Sequence, residues 1–478
     1  MIQSFIHKTE NNNLYIYDDQ QRLSVLIHPR FEKVHEKSTA LDSYYLKKFE
    51  YLKKHGFFSN SKPANFLESI DESIVKNNIF QLPHIVFEVT NSCNLDCTYC
   101  CFGKLYEGYD TRNFKNINTH KAIKLLEYIV GLRIQNKNDK LTISFYGGEP
   151  LLNINFIKRI VGISNQLISE KEINIDYQMT TNATLIHKHI DFLVLNNFRL
   201  LISLDGNEVN QSYRVFKNNN NSFQRVIENI SIIQRDYPEY FIKNVDFNAV
   251  LHDRNSVKSI YEFIYSRYHK IPQISELSTD DFNLGKKDVF GRMFRSKSSS
   301  ENEYQKEESN QLPHNESFLY KESVNFLKYF SINSYISNIT SLLQDTEKCL
   351  PTSTCLPFSK KMFLSTHNEL ITCERIDHIY SLGKITKEVM IDTEEITRQY
   401  NEYYNYLKNV CQHCYAYKFC GACMFRIRNF DKSGTKEFVC DSFYDKKAFE
   451  QKLYHIFSFL EKYPNDFIEE ILENLIIK

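Results

Sequence analysis

An α/β fold built on a parallel sheet is predicted by three observations. Between residues 84 and about 280, short β-type apolar runs alternate with stretches of helical period. No 20–50-residue repeat interrupts that alternation, which sets solenoids and propellers aside. The 478 residues, 42% hydrophobic and 25% charged, are long enough for about three domains and have ordinary globular composition. In chain order, residues 1–83 open with two alternating runs, 13–17 and 23–28, joined across Asp18-Asp19-Gln20-Gln21-Arg22 as a β-hairpin. Helical periodicity over 41–54 stops at His55-Gly56, and a weaker helical pattern spans 65–77. Strands then fit 85–90, 142–146, 175–180, 199–204 and 245–251; helices fit 118–133, 153–168, 185–195, 222–235 and 255–267. Repeated units of this kind give a parallel sheet with helical crossovers, as an open doubly wound sheet or as a full or partial barrel. Residues 281–315 turn polar and read as an exposed insertion or linker, followed by a helix near 317–330. That insertion and bridging helix (281–345) lead to a cysteine-rich segment, 346–445, and a helical tail, 446–478.

Charge and cysteine usage narrow the chemistry. Lys+Arg and Asp+Glu both number 59, a formal charge of zero, which argues against nucleic acid as a partner. The first ten residues have no apolar signal core, and 18 consecutive apolar residues occur nowhere. No membrane is expected, and the chain reads as cytoplasmic. In that compartment twelve cysteines favour metal ligation or catalysis over disulfides. Four crowd into 93–101, eight lie between 349 and 440, and 102–348 contains none. Glycine is scarce, 13 residues, so a clustered pair is informative.

The first cysteine group follows the strand at 85–90: Asn91-Ser92-Cys93-Asn94-Leu95-Asp96-Cys97-Thr98-Tyr99-Cys100-Cys101. Its CxxxCxxC spacing places Cys93, Cys97 and Cys100 on one short loop, where each can hold an iron of a [4Fe–4S] cube. A cube has four irons, so one is left without a protein ligand, and an open position is what makes a metal site catalytic. The alternatives are three thiols of a zinc site or small buried hydrophobes. Zinc favours CxxC pairs, however, and this loop is too polar for an apolar core.

This loop resembles the signature of the radical SAM enzymes, and later segments extend the likeness. Ser144-Phe145-Tyr146-Gly147-Gly148-Glu149-Pro150 is similar to the family's GGEP motif, which holds the amino group of S-adenosylmethionine. Met179-Thr180-Thr181-Asn182-Ala183-Thr184 ends the third strand, Ile202-Ser203-Leu204-Asp205-Gly206 ends the fourth, and Arg214 follows. The resemblance implies that Ser203 and Arg214 meet the methionyl carboxylate, that Asn182 lines the site, and that Tyr99, Gly147, Gly148, Glu149, Pro150 and Asp205 belong to the cofactor site. Arginine suits a carboxylate through its planar fork. Independently, Cys93, Gly147, Thr181 and Asp205 all fall at the C-terminal ends of predicted parallel strands, the edge where active sites assemble. The fold implied is a (β/α)6 partial TIM barrel over 84–280, with a small N-terminal α+β domain and a C-terminal iron–sulfur domain.

The second group reads Cys349-x5-Cys355-x17-Cys373, then Cys411-x2-Cys414-x5-Cys420-x2-Cys423, then Cys440. Eight thiolates can fill two four-cysteine sites; taken alone, 411–423 also fits a zinc ribbon. The whole resembles the SPASM domain, which carries two auxiliary [4Fe–4S] clusters. That resemblance assigns Cys349, Cys355, Cys373 and Cys423 to one cluster and Cys411, Cys414, Cys420 and Cys440 to the other, making three clusters in all. Asn368 stands where the family has a glycine, and Asn tolerates positive φ. Gly421-Ala422 gives two residues where the family has three, which bears on Cys420 and Cys423.

Relatives of this kind split S-adenosylmethionine reductively and use the 5′-deoxyadenosyl radical on ribosomally made peptides, forming cross-links such as thioethers. A low-potential donor such as a flavodoxin or ferredoxin supplies the electron. Residues 1–83 resemble the small module that pairs a leader peptide onto its sheet edge; a structural cap is the alternative. A peptide maturase is therefore expected, with sulfatase-type oxidation of Cys or Ser to formylglycine as the second reading. In that second class an acidic residue after the third SPASM cysteine acts as base, here Glu374; an exposed Glu374–Arg375 ion pair is the plainer explanation. Cys101 has no assigned role, and His367 and His413 read as ordinary polar histidines. A non-catalytic iron–sulfur or zinc protein is the reading from another class.

Overall fold

Alternating burial along the first strands shows why they form a sheet. In β1 (Phe5–Lys8) and β2 (Leu14–Asp18), Phe5, Leu14 and Ile16 are buried at every second position. With β3 (Leu23–Ile27) they make an antiparallel sheet of order β1-β2-β3. The predicted hairpin is β2–β3; β1, whose four residues carry too short a pattern, was not expected. Helices α1 (Pro29–His35) and α2 (Ser43–Lys54) follow, the second capped by Asp42. The structure, a computed structural model, describes residues 4–19, 23–35, 42–58, 66, 69–107, 114–133, 140–171, 174–279, 282–307, 312–326, 350–417, 420–427, 440 and 442–465.

The chain divides into two units: residues 1–69, 312–354 and 401–478, and residues 70–311 with 355–400. In the first, the β1–β3 sheet packs on the helix Lys446–Lys462 through Phe5, Tyr17, Phe449 and Phe457, with Tyr415 and the helix Phe318–Phe326 in the same core. Glu461 secures the β1–β2 turn, accepting hydrogen bonds from Thr9 Oγ1, Asn11 Nδ2, Asn13 Nδ2 and Tyr15 Oη at 2.9–3.1 Å.

The second unit begins with α3 (Glu72–Phe80), N-capped by Asp71, and continues as strand–helix repeats. β4 (His84–Thr90), β5 (Lys140–Gly147), β6 (Asn174–Thr181), β7 (Arg199–Ser203), β8 (Val245–Leu251) and β9 (Gln273–Glu276) lie parallel in sequence order. Between them run α4 (Thr119–Leu132), α5 (Ile154–Lys171), α6 (Ile190–Leu195), α7 (Phe223–Asp236), α8 (Pro238–Asn244) and α9 (Val257–Tyr268). This is the expected (β/α)6 partial barrel. Outward-facing Phe87 and Phe145 meet Phe156 of α5, and Phe247 stacks on Tyr268 of α9 at 4.8 Å. α7 buries Val226, Ile230 and Ile233 at helical spacing.

Two features depart from the sequence expectations. Within the predicted linker 281–315, residues 282–307 are not open chain: they hold helices Lys287–Met293 and Lys297–Gln305, which bury Phe290, Met293 and Tyr304, while Ser300 Oγ accepts from Val257 N at 3.0 Å. A few large side chains anchor the segment, set too far apart among polar residues to form an apolar stripe. Beyond β4, the sheet also gains β10 (Met362–Leu364), parallel to β4 with Met362 opposite Ile85, and then antiparallel β11 (Glu369–Ile371), β12 (Gly383–Ile385) and β13 (Val389–Met390). Asn368, in the β10–β11 turn, takes φ 68°, a conformation asparagine tolerates. Among the described residues no helix is long and apolar enough to cross a membrane.

Candidate active site

The loop after β4 carries Cys93, Cys97 and Cys100 over the C-terminal edge of the sheet, and three neighbouring loops hold it there. From β5, Gly148 N donates to Thr90 O at 2.8 Å and Glu149 N to Ser92 O at 2.9 Å. A Cβ on Gly147, which has φ +129°, would sit 2.2 Å from Thr90 O, and one on Gly148 would sit 1.9 Å from Ser92 O. The glycines therefore admit the cysteine loop's own backbone. From β6, Asn182 Nδ2 reaches Asn94 Oδ1 at 3.0 Å and Cys93 Sγ at 3.7 Å. From the segment after β7, Tyr213 O and Val215 O accept from Thr98 N and Asp96 N.

Glu149 ties two of these loops together. Its buried carboxylate accepts from Leu151 N, Thr181 Oγ1 and Asn182 N at 2.8–3.1 Å. Burial pushes its carboxyl up to about 7 against those three donors. Pro150, also buried, starts the turn that follows. Ser203 ends β7 and is buried.

Two residues on, Asp205 is fully buried; its carboxylate binds Tyr99 Oη, Arg214 Nε (3.0 Å) and Val250 N (3.0 Å). Burial opposes its ionisation, but the adjacent Arg214 holds the carboxyl below the usual range. Burial likewise opposes the charge on Arg214, and Asp205 more than restores it. These contacts make Asp205 a brace for Tyr99 and Arg214. His252, fully buried at the end of β8, stacks on Tyr99 at 5.6 Å and lies 3.8 Å from Asp205. The sequence reading missed it, though its place at the same edge was legible.

The three thiols suit an iron–sulfur cube. Burial pushes the Cys97 thiol up to about 12; the nearby Arg214 opposes this, and Cys100 and Cys93 add to it, so a bound metal would be what holds Cys97 as a thiolate. A cube would take each of the three sulfurs on a different iron. Leu95 N donates to Cys93 Sγ at 3.4 Å, a bond of the kind that tunes cluster sulfurs. Cys101 packs beside a cluster containing Tyr99, Leu105 and Phe290.

Of the second cysteine group, Cys349 lies outside the described residues. Cys355 and Cys373 belong to the barrel unit, and Cys411, Cys414, Cys420, Cys423 and Cys440 to the other. Backbone N–H groups of Arg375, Tyr444 and Ala422 donate to the sulfurs of Cys373, Cys414 and Cys420 at 3.3–3.4 Å. Glu374 pairs with Lys361, its two oxygens 2.8 and 2.9 Å from Nζ, and is largely buried. Glu374 is thus sheltered, with Lys361 as its ion-pair partner, where the sequence suggested an exposed pair. Burial opposes ionisation of Glu374, and Lys361 keeps its carboxyl below the usual range.

Residues 87–262 match the model of the radical SAM superfamily. The chain carries a radical SAM domain. The relatives that this domain matches include named enzymes. A cysteine-type anaerobic sulfatase-maturating enzyme of Clostridium novyi is 33% identical over 186 residues, 38% of this chain and 47% of that protein. Radical SAM cyclopropyl synthase TigE of Paramaledivibacter caminithermalis is 30% identical over 178 residues, 36% of each chain. An uncharacterised protein of Methanocaldococcus jannaschii is 33% identical over 154 residues, 32% of this chain and 49% of that one. The match thus spans about half or less of the length of these relatives. Among solved structures, native anSMEcpe with bound AdoMet has a TM-score of 0.54 at 18% identity, covering 80% of this chain and 99% of that one, a likeness of fold.

Proposed function

We propose that this chain is a radical SAM peptide maturase that removes hydrogen from a ribosomally made peptide and leaves a cross-link such as a thioether. The observation that carries the reading is the cysteine loop locked against Gly148, Asn182 and the Arg214 segment. Cys93, Cys97 and Cys100 would hold a [4Fe–4S] cube with one iron open to S-adenosylmethionine. When bound, that pair supplies a 5′-deoxyadenosyl radical that takes hydrogen from an unactivated carbon. Arg214 gives one of its five donors to Asp205 and keeps others for the methionyl carboxylate. Tyr99, braced by Asp205 and His252, walls the site and excludes water. Cys411, Cys414, Cys420 and Cys440 would hold one auxiliary cluster; Cys355, Cys373 and Cys423, with Cys349, would hold another. A flavodoxin or ferredoxin would deliver the electron, and the reducing cell interior is the compartment this chemistry asks for.

The peptide substrate is supported by the N-terminal sheet. Val25 and Leu26 on β3, an edge strand among the described residues, are 41% and 60% exposed, which suits addition of a leader strand. The sulfatase-type reading is favoured by one observation of its own: Glu374 faces the interior of the barrel. Anaerobic reconstitution tests the proposal. About twelve irons, four per cube, and formation of 5′-deoxyadenosine are expected. Alanine at Cys93, Cys97 and Cys100 abolishes cleavage; alanine at Cys411 and Cys414 spares cleavage and stops product. Cleavage that survives the triple change would refute the assignment.

A further inference from the structure

The segment that follows β9 is fitted onto the cysteine loop. Phe282 forms an isolated bridge with Tyr106, Asn283 N donates to Leu105 O at 2.9 Å, and Lys286 Nζ donates to Lys104 O at 2.7 Å. Phe282 stacks on Phe290 at 4.4 Å, and Phe290 and Met293 share an apolar cluster with Tyr99, Leu105 and Tyr106. Lys104 itself stands just past Cys100. Gly103 N donates to Cys100 O at 2.8 Å, closing that turn, and four residue steps reach at most about 14 Å. Since Gly148, Asn182 and the Arg214 segment already hold the loop from other sides, this cover gives it an outer surface.

The side chains on that surface are those of a contact face. Helix Lys287–Met293 turns Phe290 and Met293 inward and leaves Lys287, Asp288 and Arg292 exposed. Leu284, in the turn before it, is 74% exposed, and Lys104 is exposed as well. Among the described residues Lys104, Lys286, Lys287 and Arg292 have no carboxylate partner; Lys286 and Arg292 bond backbone carbonyls. Four cations stand here against two acids, Asp288 and Glu107, on a chain whose formal charge is zero, so the local field is positive. An apolar anchor ringed by charge is how protein interfaces are built, and small ones of this kind serve brief electron-transfer encounters.

We infer that the acidic face of a small electron-carrier protein docks on this surface, over Leu284 and among Lys104, Lys286, Lys287 and Arg292. The carrier is oxidised by one electron, which enters beside Cys100, and no bond forms or breaks. Complementary charge speeds the encounter, and the apolar anchor sets the register. The inference rests on the radical reading above and adds where its electron enters.

The test uses the reconstituted full chain without oxygen, and flavodoxin as the probe. Surface plasmon resonance reads flavodoxin binding. Formation of 5′-deoxyadenosine is followed separately with reduced flavodoxin and with dithionite, which needs no docking. Lys104→Glu, Lys287→Glu and Arg292→Glu together are expected to weaken binding at low salt at least about tenfold and to slow the flavodoxin-driven reaction as much, with the dithionite-driven rate unchanged. Raising salt from about 20 to about 300 mM is expected to weaken wild-type binding and to narrow the gap between the two proteins. Lys384→Glu with Lys387→Glu, on and after β12, leaves binding unchanged. Flavodoxin binding that is absent in the wild type, or unchanged in the triple variant, overturns the inference, as does an equal fall in the dithionite-driven rate. Should the triple variant not take up its irons, Leu284→Ser is expected to weaken binding about threefold or more, and unchanged binding there overturns it too. Absence of 5′-deoxyadenosine from the wild type with dithionite overturns the radical reading beneath, while the binding comparison still decides the docking surface.

Discussion

Gly148 shows how much of the site depends on one missing atom. With Ser92 O at 1.9 Å from an added Cβ, Gly148→Ala forces the cysteine loop off β5, a clash on the order of 3 kcal/mol. The variant is expected to reconstitute with roughly four irons fewer, one cube, which iron determination reads directly. His7 makes a different demand. It is buried, bonded to Ser24 Oγ at 3.0 Å, and burial lowers it to about 4 from 6.5. A histidine held neutral in the fold contributes stability above pH 6.5, and that contribution is lost as pH falls toward 4, on the order of 3 kcal/mol at most. His84 is lowered to about 4 as well, so chemical denaturation between pH 7 and 4 should show a loss that His7→Phe reduces but does not remove. The cysteine spacing, the paired glycines and Arg214 were legible because each is a local motif. Lys361 was not: its role depends on a parallel pairing of β10 with β4, which no local pattern encodes.

The β1–β2 turn is fixed from far along the chain. Glu461 gathers donors from Thr9, Asn11, Asn13 and Tyr15, so Glu461→Ala leaves several of them without a partner, at about 1–3 kcal/mol. Hydrogen exchange should report faster exchange over residues 9–15, with β6 and β7 unaffected. Strands β4 to β8 were legible from their apolar runs, since each is buried on its outer face. β9, of four residues with only Ile274 apolar, carries no such signal. The helices within 281–307 escaped because their polar faces outnumber their anchors, Phe290, Met293 and Tyr304. Asn368 is the reverse case: asparagine tolerates positive φ, and it takes φ 68° in the β10–β11 turn.

Across the molecule, the sheet gathers chemistry from segments far apart in sequence. Its C-terminal edge joins the cysteine loop to Gly148, Asn182 and Arg214, while its inward face leads to Glu374 and Lys361. The (β/α)6 repeat announced the first of these, because every motif follows a predicted strand. The second needed β10 and β11, which sit in a segment where cysteine spacing drowned out the strand pattern. The most direct measurement is electron paramagnetic resonance of the reduced, oxygen-free protein with Cys411 and Cys414 replaced by alanine, before and after adding S-adenosylmethionine. A [4Fe–4S] signal that shifts on addition, and vanishes when Cys93, Cys97 and Cys100 are also replaced, is expected. A signal indifferent to S-adenosylmethionine, or one that survives loss of those three cysteines, would show that the open iron is not at this loop.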